Sequence, residues 1–231
     1  MKIHVRRVER RSPGGRKGEI IQLFRPQDRL MLLPFWALDF LPPESDDRYE
    51  LFQPLPAGAV TLAYQPGAHL ASTSPDGIAW RYSNDGQSDD ATAERITSGF
   101  RLWLALPPTL LQSALPAQGY LPLEAIPGIG KIKVLLGAYK GLMSPLGGGR
   151  ILTCLDVVLD AHERWDHHPP AGHDVAWAFV YQGQTQVDNF RCSRELIVFE
   201  RTAGKISIRA ENARAKLLIG TAVRSRLPAP R

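Results

Sequence analysis

The chain has no apolar stretch long enough to cross a bilayer. Its most apolar segment, residues 30–41, is interrupted by Pro34 and Asp39 and is shorter than the roughly 20 residues that a membrane helix requires. The first seventeen residues are basic and contain no apolar core of the kind found in signal peptides. From these two absences we expect a cytoplasmic protein that does not bind membranes.

Cysteine is also scarce, with two residues, Cys154 and Cys192, in a chain of 231. Small secreted domains that depend on disulfides carry many more. In a chain without an export signal, two cysteines are more often reduced side chains that pack as small hydrophobic groups. We therefore expect both thiols to be free and buried.

Helical periodicity is nearly absent. Only residues 108–113 resemble a short helix, with a proline in the first turn. Elsewhere, apolar or alternating runs of strand length are separated by Gly, Pro, Asn and Asp. These runs cover residues 35–40, 60–64, 100–106, 131–136, 151–159, 175–181, 195–199, 205–210 and 215–220. Many short strands without intervening helices indicate antiparallel sandwiches or barrels.

Positive charge is concentrated at the N-terminus. Residues 1–17 carry seven basic residues and one acidic residue, a sum of +6, whereas the whole chain has a net charge of +5. Such an arm can neutralise the phosphates of a nucleic acid, but it lacks aromatic residues that would stack on bases. We therefore expect a solvated arm that is weakly tied to the fold.

Five segments, in the same order and at similar spacing, resemble the pirin family. The segments are residues 34–40 (PFWALDF), 76–80 (DGIAW), 99–107 (GFRLWLALP), 170–183, which contains PAGH, and 213–220 (ARAKLLIG). Pirins consist of two cupin barrels. The resemblance, which covers roughly residues 20 to 228, therefore implies an all-β fold with two antiparallel cupin, jelly-roll type, β-barrels in tandem.

The domain organisation follows from this resemblance and from the prolines. Five prolines lie between residues 107 and 127, which indicates a passage between two folded units. We predict a basic arm over residues 1–17, an N-terminal cupin barrel over 18–115 and a C-terminal cupin barrel over 116–231. Trp80, Trp103 and the run 175–181 should be largely buried.

Catalytically active pirins hold one iron ion in the N-terminal barrel. Its ligands are the two histidines of a His-x-His pair, a third histidine, and a glutamate two positions after the third histidine. Residues i and i+2 of a strand project to the same side and can hold one ion. Alignment places the first pair at Phe52 and Pro54, and the second pair at Asp89 and Ala91. A one-residue slip gives Gln53 with Leu55 for the first pair, and Ser88 with Asp90 or Asp90 with Thr92 for the second.

None of these alignments supplies an imidazole, and one carboxylate cannot organise a histidine-rich transition-metal site. We therefore expect no metal, no cofactor and no catalytic residue in the N-terminal barrel. The resemblance leaves Trp80, Asp89 and Asp90 as a candidate ligand pocket, in which the carboxylates favour a polar or cationic ligand or simply solvent.

A second group of polar residues precedes the strand at 175–181. It consists of His162, Glu163, Asp166, His167, His168, His173 and Asp174. On a strand, His167 and His168 point to opposite sides, whereas Asp166 and His168 share a side. We therefore expect a polar turn rather than a metal site, with His173 forming a hydrogen bond across a strand end.

Three functions are compatible with these features. The first is a pirin-like, non-catalytic binding or regulatory protein whose partner is a small molecule or another protein. The second is a quercetin 2,3-dioxygenase-like oxygenase that recruits a metal through other ligands. The third, a nucleic-acid-associated transcription cofactor, depends on the basic arm alone.

Overall fold

The computed structural model describes residues 3–6 (backbone only), 21–25, 28, 30, 32–42, 59–66, 76–82, 99–105, 118–199 and 204–224. The chain divides into two compact units. The C-terminal unit comprises Met1–Val8 and Ile126–Ser225, and the N-terminal unit comprises Glu9–Ala125 and Arg226–Arg231. The first strand, β1 (Ile3–Arg6), thus belongs to the C-terminal unit.

The N-terminal unit contains one antiparallel sheet of six strands, in the order β2-β3-β6-β4-β5-β7. The strands are β2 (Ile21–Phe24), β3 (Phe35–Leu41), β4 (Ala59–Gln65), β5 (Gly77–Tyr82), β6 (Gly99–Ala105) and β7 (Gln118–Pro122). Most residues of β3, β4 and β6 are buried on both faces of the sheet. This explains why their sequences are continuous apolar runs rather than strict alternations.

The C-terminal unit contains the remaining strands. They are β8 (Gly128–Ile129), β9 (Ile132–Leu136), β10 (Ala138–Tyr139), β11 (Leu142–Met143), β12 (Leu152–Leu159), β13 (Arg164–His167), β14 (Val175–Gln182), β15 (Thr185–Val187), β16 (Phe190–Cys192), β17 (Leu196–Phe199), β18 (Ile206–Ala210) and β19 (Ala215–Ala222). A seven-stranded sheet has the order β1-β17-β14-β19-β12-β9-β8, and a four-stranded sheet has the order β13-β18-β15-β16.

One hydrophobic core joins these two sheets. Val157, Ala178 and Leu217 contribute from the seven-stranded sheet, and Trp165 and Ile208 contribute from the four-stranded sheet. Two antiparallel sheets around a shared core form a jelly roll. The all-β prediction is confirmed, although the described sheets are open rather than closed into barrels.

The large sheets of the two units share one strand order. Positions β2-β3-β6-β4-β5 of the N-terminal unit correspond to β9-β12-β19-β14-β17 of the C-terminal unit. The next position is taken by β7 in the first sheet and by β1 in the second. The chain's first segment therefore completes the sheet that its second half forms.

This pairing corrects the expectation that the whole arm 1–17 is weakly tied to the fold. Residues 3–6 align with β17 in antiparallel register, from Ile3 opposite Phe199 to Arg6 opposite Leu196. The pairing satisfies backbone groups that would otherwise form an open edge of the sheet. Residues 7–17 lie outside the described part of the chain.

The boundary between the units also differs from the expected division at residues 115 and 116. Strand β7 lies beyond that point, yet it pairs with β5 of the N-terminal unit. The units divide after Ala125, still within the proline-rich passage. A short 3-10 turn, Leu123–Ala125, precedes the division.

The described residues contain no helix that is long and apolar enough to cross a membrane. The predicted helix at 108–113 lies outside the described residues.

Burial follows the sequence-based expectations. Trp80, Trp103 and β14 up to Tyr181 are buried. Cys154 and Cys192 are free and buried, and burial raises the pKa of the Cys192 thiol to about 11. Both thiols are therefore protonated at neutral pH, as in ordinary core residues.

Candidate functional site

Trp80, the first residue of the predicted ligand pocket, lies on β5 between Leu62 of β4 and Gly119 of β7. Its indole covers the backbone of Gly119 so closely that a Cβ there would lie 2.2 Å from Cζ2 of Trp80. Trp177 of β14 covers Gly220 of β19 in the same way, at 2.4 Å from Cε2. Both indoles therefore pack against a neighbouring strand.

Asp89 and Asp90, the other two predicted pocket residues, lie outside the described part of the chain, as do Phe52, Pro54 and Ala91. Of the three residues, Trp80 is the one that the structure describes. The predicted pocket therefore stays a prediction.

The donor residues do not fit the iron site that the resemblance implies. Between Glu9 and Ala125 the N-terminal unit has a single histidine, His69, whereas that site needs three. Within the described ranges of the chain, no three His, Cys, Asp or Glu residues are close enough to hold a metal ion. The N-terminal unit thus has one imidazole where the implied iron site uses three.

A buried ion pair in the N-terminal unit was not anticipated from the sequence. Arg25, which follows β2, donates hydrogen bonds to Oδ1 of Asp39 on β3 and to the carbonyl oxygens of Phe24 and Leu38, at 2.9 and 3.3 Å. The guanidinium also lies over the ring of Trp103, 5.4 Å from its centroid. Asp39 belongs to the PFWALDF segment, but its partner is fourteen residues away along the chain.

The environment of Asp39 opposes ionisation. Its Oδ2 is buried and has no hydrogen-bond partner in the described part of the chain. Burial raises the pKa of Asp39 to about 6, although the positive charge of Arg25 acts in the opposite direction. Asp39 is therefore a buried carboxylate that can take up a proton in mildly acidic solution.

The histidines of the second polar group have different surroundings. His173 is buried, and its Nε2 donates to the carbonyl oxygen of Arg150 at 3.1 Å while its Nδ1 accepts from Oγ1 of Thr221 at 2.9 Å. Because a carbonyl oxygen can only accept, these contacts fix the tautomer with hydrogen on Nε2. The prediction of a hydrogen bond across a strand end is confirmed.

His167 and His168 point apart, as predicted. His168 is exposed, whereas His167 is 1% exposed and stacks on Trp165 with ring centroids 5.1 Å apart. Neither ring nitrogen of His167 has a hydrogen-bond partner in the described part of the chain. Burial, with smaller contributions from His168 and His173, lowers the pKa of His167 to about 4.

Asp166 shares the exposed side of β13 with His168. Its carboxylate accepts hydrogen bonds from Ser207, Lys205 and Arg164, at 2.7 to 3.1 Å. These contacts hold the pKa of Asp166 well below its usual range. The polar group thus divides into a surface network and two neutral, buried imidazoles, and the structure does not bring it together as a metal site.

Sequence comparisons give no match, either to a protein-family model or to a curated protein. Comparison of structures shows the fold. GK1651 from Geobacillus kaustophilus matches with a TM-score of 0.67 at 15% identity, over 98% of each chain. Quercetin 2,3-dioxygenase from Acinetobacter baumannii matches with a TM-score of 0.63 at 20% identity, over 100% of this chain and 88% of that chain.

The bacterial pirin YhhW from Escherichia coli, in complex with nickel(II), matches with a TM-score of 0.59 at 11% identity. The match covers 97% of this chain and 100% of the pirin. The chain therefore has a pirin-like cupin fold. At these identities the likeness concerns the fold and not the chemistry.

Proposed function

We propose that the chain is a pirin-like binding or regulatory protein that works without a catalytic metal in its N-terminal unit. One observation carries the proposal, namely that residues 9–125 of this unit contain a single histidine. The chain shares its fold with a pirin, YhhW, that was solved in complex with nickel(II), whereas this unit has one histidine where the iron site implied by the resemblance uses three.

The chemical argument concerns the number of ligands. Non-haem iron oxygenases use two histidines and one carboxylate on one face of the metal and leave the other positions open for substrate and oxygen. The N-terminal unit can supply carboxylates, but His69 alone cannot supply the imidazoles. A weakly held ion would not be retained in the geometry that oxygen activation requires.

In this proposal the ligand pocket is formed by Trp80, Asp89 and Asp90. Two adjacent carboxylates favour a polar or cationic small molecule, and the indole supplies an apolar wall. Partner proteins are the other expected class of ligand. A cytoplasmic location is part of the same proposal.

A metal-dependent oxygenase remains the competing function, and the fold likeness to quercetin 2,3-dioxygenase from Acinetobacter baumannii is the observation behind it. The two functions differ in metal content and turnover. The chain should be expressed without a His-tag in iron-supplemented medium, purified without chelators and subjected to elemental analysis, with YhhW prepared in parallel as a metal-retaining control.

We expect substoichiometric iron, nickel and copper in this chain, and no turnover of quercetin. A stoichiometric metal, together with quercetin cleavage that a chelator abolishes, would replace the proposal with the oxygenase.

A further inference from the structure

The outward side of the four-stranded sheet in the C-terminal unit carries a row of long polar side chains. Arg164 on β13 lies opposite Arg209 on β18, Arg209 lies opposite Gln186 on β15, and Gln186 lies opposite Arg191 on β16. All four residues are exposed. Because directly opposite residues project to the same side, the row presents three guanidinium groups across four strands.

Two of these charges have acidic partners. Arg164 pairs with Asp166 at 3.1 Å, and Arg191 pairs with Glu211 at 3.2 Å. Arg209, at the centre of the row, has no ion pair within the described part of the chain, and its cross-strand neighbour Arg164 carries the same charge. Like charges at opposite positions destabilise a sheet. A bound anion would reduce the repulsion between the guanidinium groups of Arg164 and Arg209.

A pocket of about 180 Å³ lies beside Arg209. Its lining residues are His162, Gln186, Arg209, Ala210, Glu211 and Asn212. Four of these residues end in groups that can donate hydrogen bonds: a guanidinium, an imidazole and two amides. Within the described ranges, none of those four side chains forms a hydrogen bond or ion pair with another residue.

The backbone holds this pocket in shape. The N–H of His162, a residue with a left-handed φ of 64°, donates to the carbonyl oxygen of Glu211 at 2.9 Å. The N–H of Glu211 donates to the carbonyl oxygen of Gln184 at 3.0 Å. The Glu211 side chain is 15% exposed and is engaged by Arg191. Glu211, the one carboxylate among the lining residues, therefore has an ion-pair partner outside the pocket lining.

We propose that the pocket bounded by Arg209, His162, Gln186 and Asn212 binds a small oxyanion, a phosphate or a carboxylate. The planar guanidinium matches the two oxygens of such a group, and the amides and imidazole supply further donors. Drug-sized ligands occupy pockets of roughly 300 Å³ or more, so the volume fits only a small ion or the anionic end of a larger molecule. The site goes beyond the proposed function and does not depend on the metal content of the N-terminal unit.

Isothermal titration calorimetry of the full chain tests this site. Sodium phosphate and sodium citrate are titrated in separate experiments, each against sodium chloride of equal ionic strength. We expect saturable binding of phosphate, citrate or both, and an affinity that falls by about tenfold or more in Arg209→Gln, because a charge-assisted hydrogen bond is lost.

Arg150→Gln is the matched control. Arg150 is also an exposed arginine in the C-terminal unit but lies outside the row, and its substitution should leave the affinity unchanged. Arg209→Lys keeps the charge and loses the planar fork, so we expect an intermediate affinity. Circular dichroism should show the same fold in all three variants, since both arginines are exposed.

Equal loss of affinity in Arg209→Gln and Arg150→Gln would overturn the proposal, because it would show attraction to net charge rather than a site. Absence of saturable binding of both anions would also overturn it. So would binding of a short DNA duplex that phosphate does not displace and that Arg150→Gln weakens as much as Arg209→Gln, since this would indicate a diffuse polyanion surface.

Discussion

His167 is a buried imidazole whose ring nitrogens find no partner in the described part of the chain. Its protonation would place a charge beside Trp165 and Tyr139, whose rings lie 5.1 and 6.0 Å away by centroid. The nearby His168 and His173 would add like charge in acid. The native state therefore favours the neutral form of His167.

This environment predicts loss of stability in mild acid. The pKa of His167 is about 4 in the native state against 6.5 in the unfolded chain, so the unfolded state binds more protons between these values. Stability is then fully present above about pH 6.5 and falls by up to ~3 kcal/mol as the pH approaches 4. Urea unfolding at pH 7 and pH 5 measures the change.

The variant His167→Phe should reduce this acid sensitivity, because it keeps an aromatic ring against Trp165 and cannot take up a proton. His168→Gln serves as the comparison, since His168 is exposed and makes only a smaller contribution to the pKa of His167, so its replacement should reduce the acid sensitivity much less than His167→Phe does. An unaltered pH dependence in His167→Phe would assign the acid sensitivity to other groups.

The buried pair of Arg25 and Asp39 gives a second prediction at this scale. Arg25→Met removes the counter-charge of a fully buried carboxylate, and we expect a loss of about 3–5 kcal/mol at pH 7. Without Arg25, burial raises the pKa of Asp39 further above its unfolded value of 3.8. The contribution of protonated Asp39 to the free energy of unfolding is then present below about pH 4 and is lost as the pH rises through the native pKa.

The deficit of Arg25→Met should consequently be smaller at pH 5 than at pH 7, as measured by urea unfolding. The double variant Arg25→Met/Asp39→Leu removes both charges and should recover most of the lost stability. A deficit that is independent of pH, and that the double variant retains, would show that packing on Trp103 rather than charge is responsible.

Among the elements, β1 is the one for which the sequence-based prediction and the structure differ most. Residues Ile3 to Arg6 alternate apolar and polar side chains, which is the pattern of a strand at the edge of a sheet. The surrounding basic residues dominate the composition and indicate an arm instead. The pairing with β17 is therefore compatible with the local sequence, but only the fold reveals the partner strand.

Deletion of residues 1–6 should destabilise the C-terminal unit, because it removes the backbone hydrogen bonds of a four-residue strand and exposes the edge of β17. At roughly 0.5–1.5 kcal/mol for each hydrogen bond, we expect a loss of about 2–4 kcal/mol. Thermal unfolding followed by circular dichroism measures it.

A charge-neutralised variant separates this effect from electrostatics. Replacement of Arg10, Arg11, Arg16 and Lys17 by Gln keeps β1 and should leave the melting temperature nearly unchanged, while any affinity for polyanions falls at low salt. A deletion variant as stable as the full chain would restore the interpretation of residues 1–17 as a weakly tied arm.

Across the whole molecule, the large sheets of the two units have the same strand order, but the units differ in their histidine content. The N-terminal unit has one histidine between residues 9 and 125, whereas the C-terminal unit has five. Of the latter, His167 and His173 are buried as neutral side chains. The two units therefore share a strand order but differ in histidine content.

Restoring one imidazole should not restore an oxygenase. Asp89→His places one imidazole at an aligned ligand position, but the other aligned positions, Phe52, Pro54 and Ala91, still carry no metal-binding side chain, so the site stays short of the three ligands that an iron oxygenase uses. We expect no increase in retained iron and no turnover of quercetin, measured by elemental analysis and by absorbance of the flavonol. Chelator-sensitive turnover in this variant would show that further ligands already exist in the chain.

Local patterns in the sequence were enough to predict the fold class and to show that residues 9–125 contain one histidine. Strand-length apolar runs, the absence of helical spacing and the positions of His residues are local properties, and they are readable without knowing which strands meet. Local patterns do not reveal contacts between distant segments. The sequence therefore did not predict that β1 pairs with β17 or that Asp39 pairs with Arg25.

Contacts between side chains that are distant in the sequence depend on the tertiary fold. Arg164, Arg191 and Arg209 are separated by 18 to 45 positions in the chain, and they form one row because of the register of β13, β18, β15 and β16. A shift of one residue in any pairing would turn a side chain to the opposite face. Register depends on the packing of the whole sheet, which no single segment of the sequence encodes.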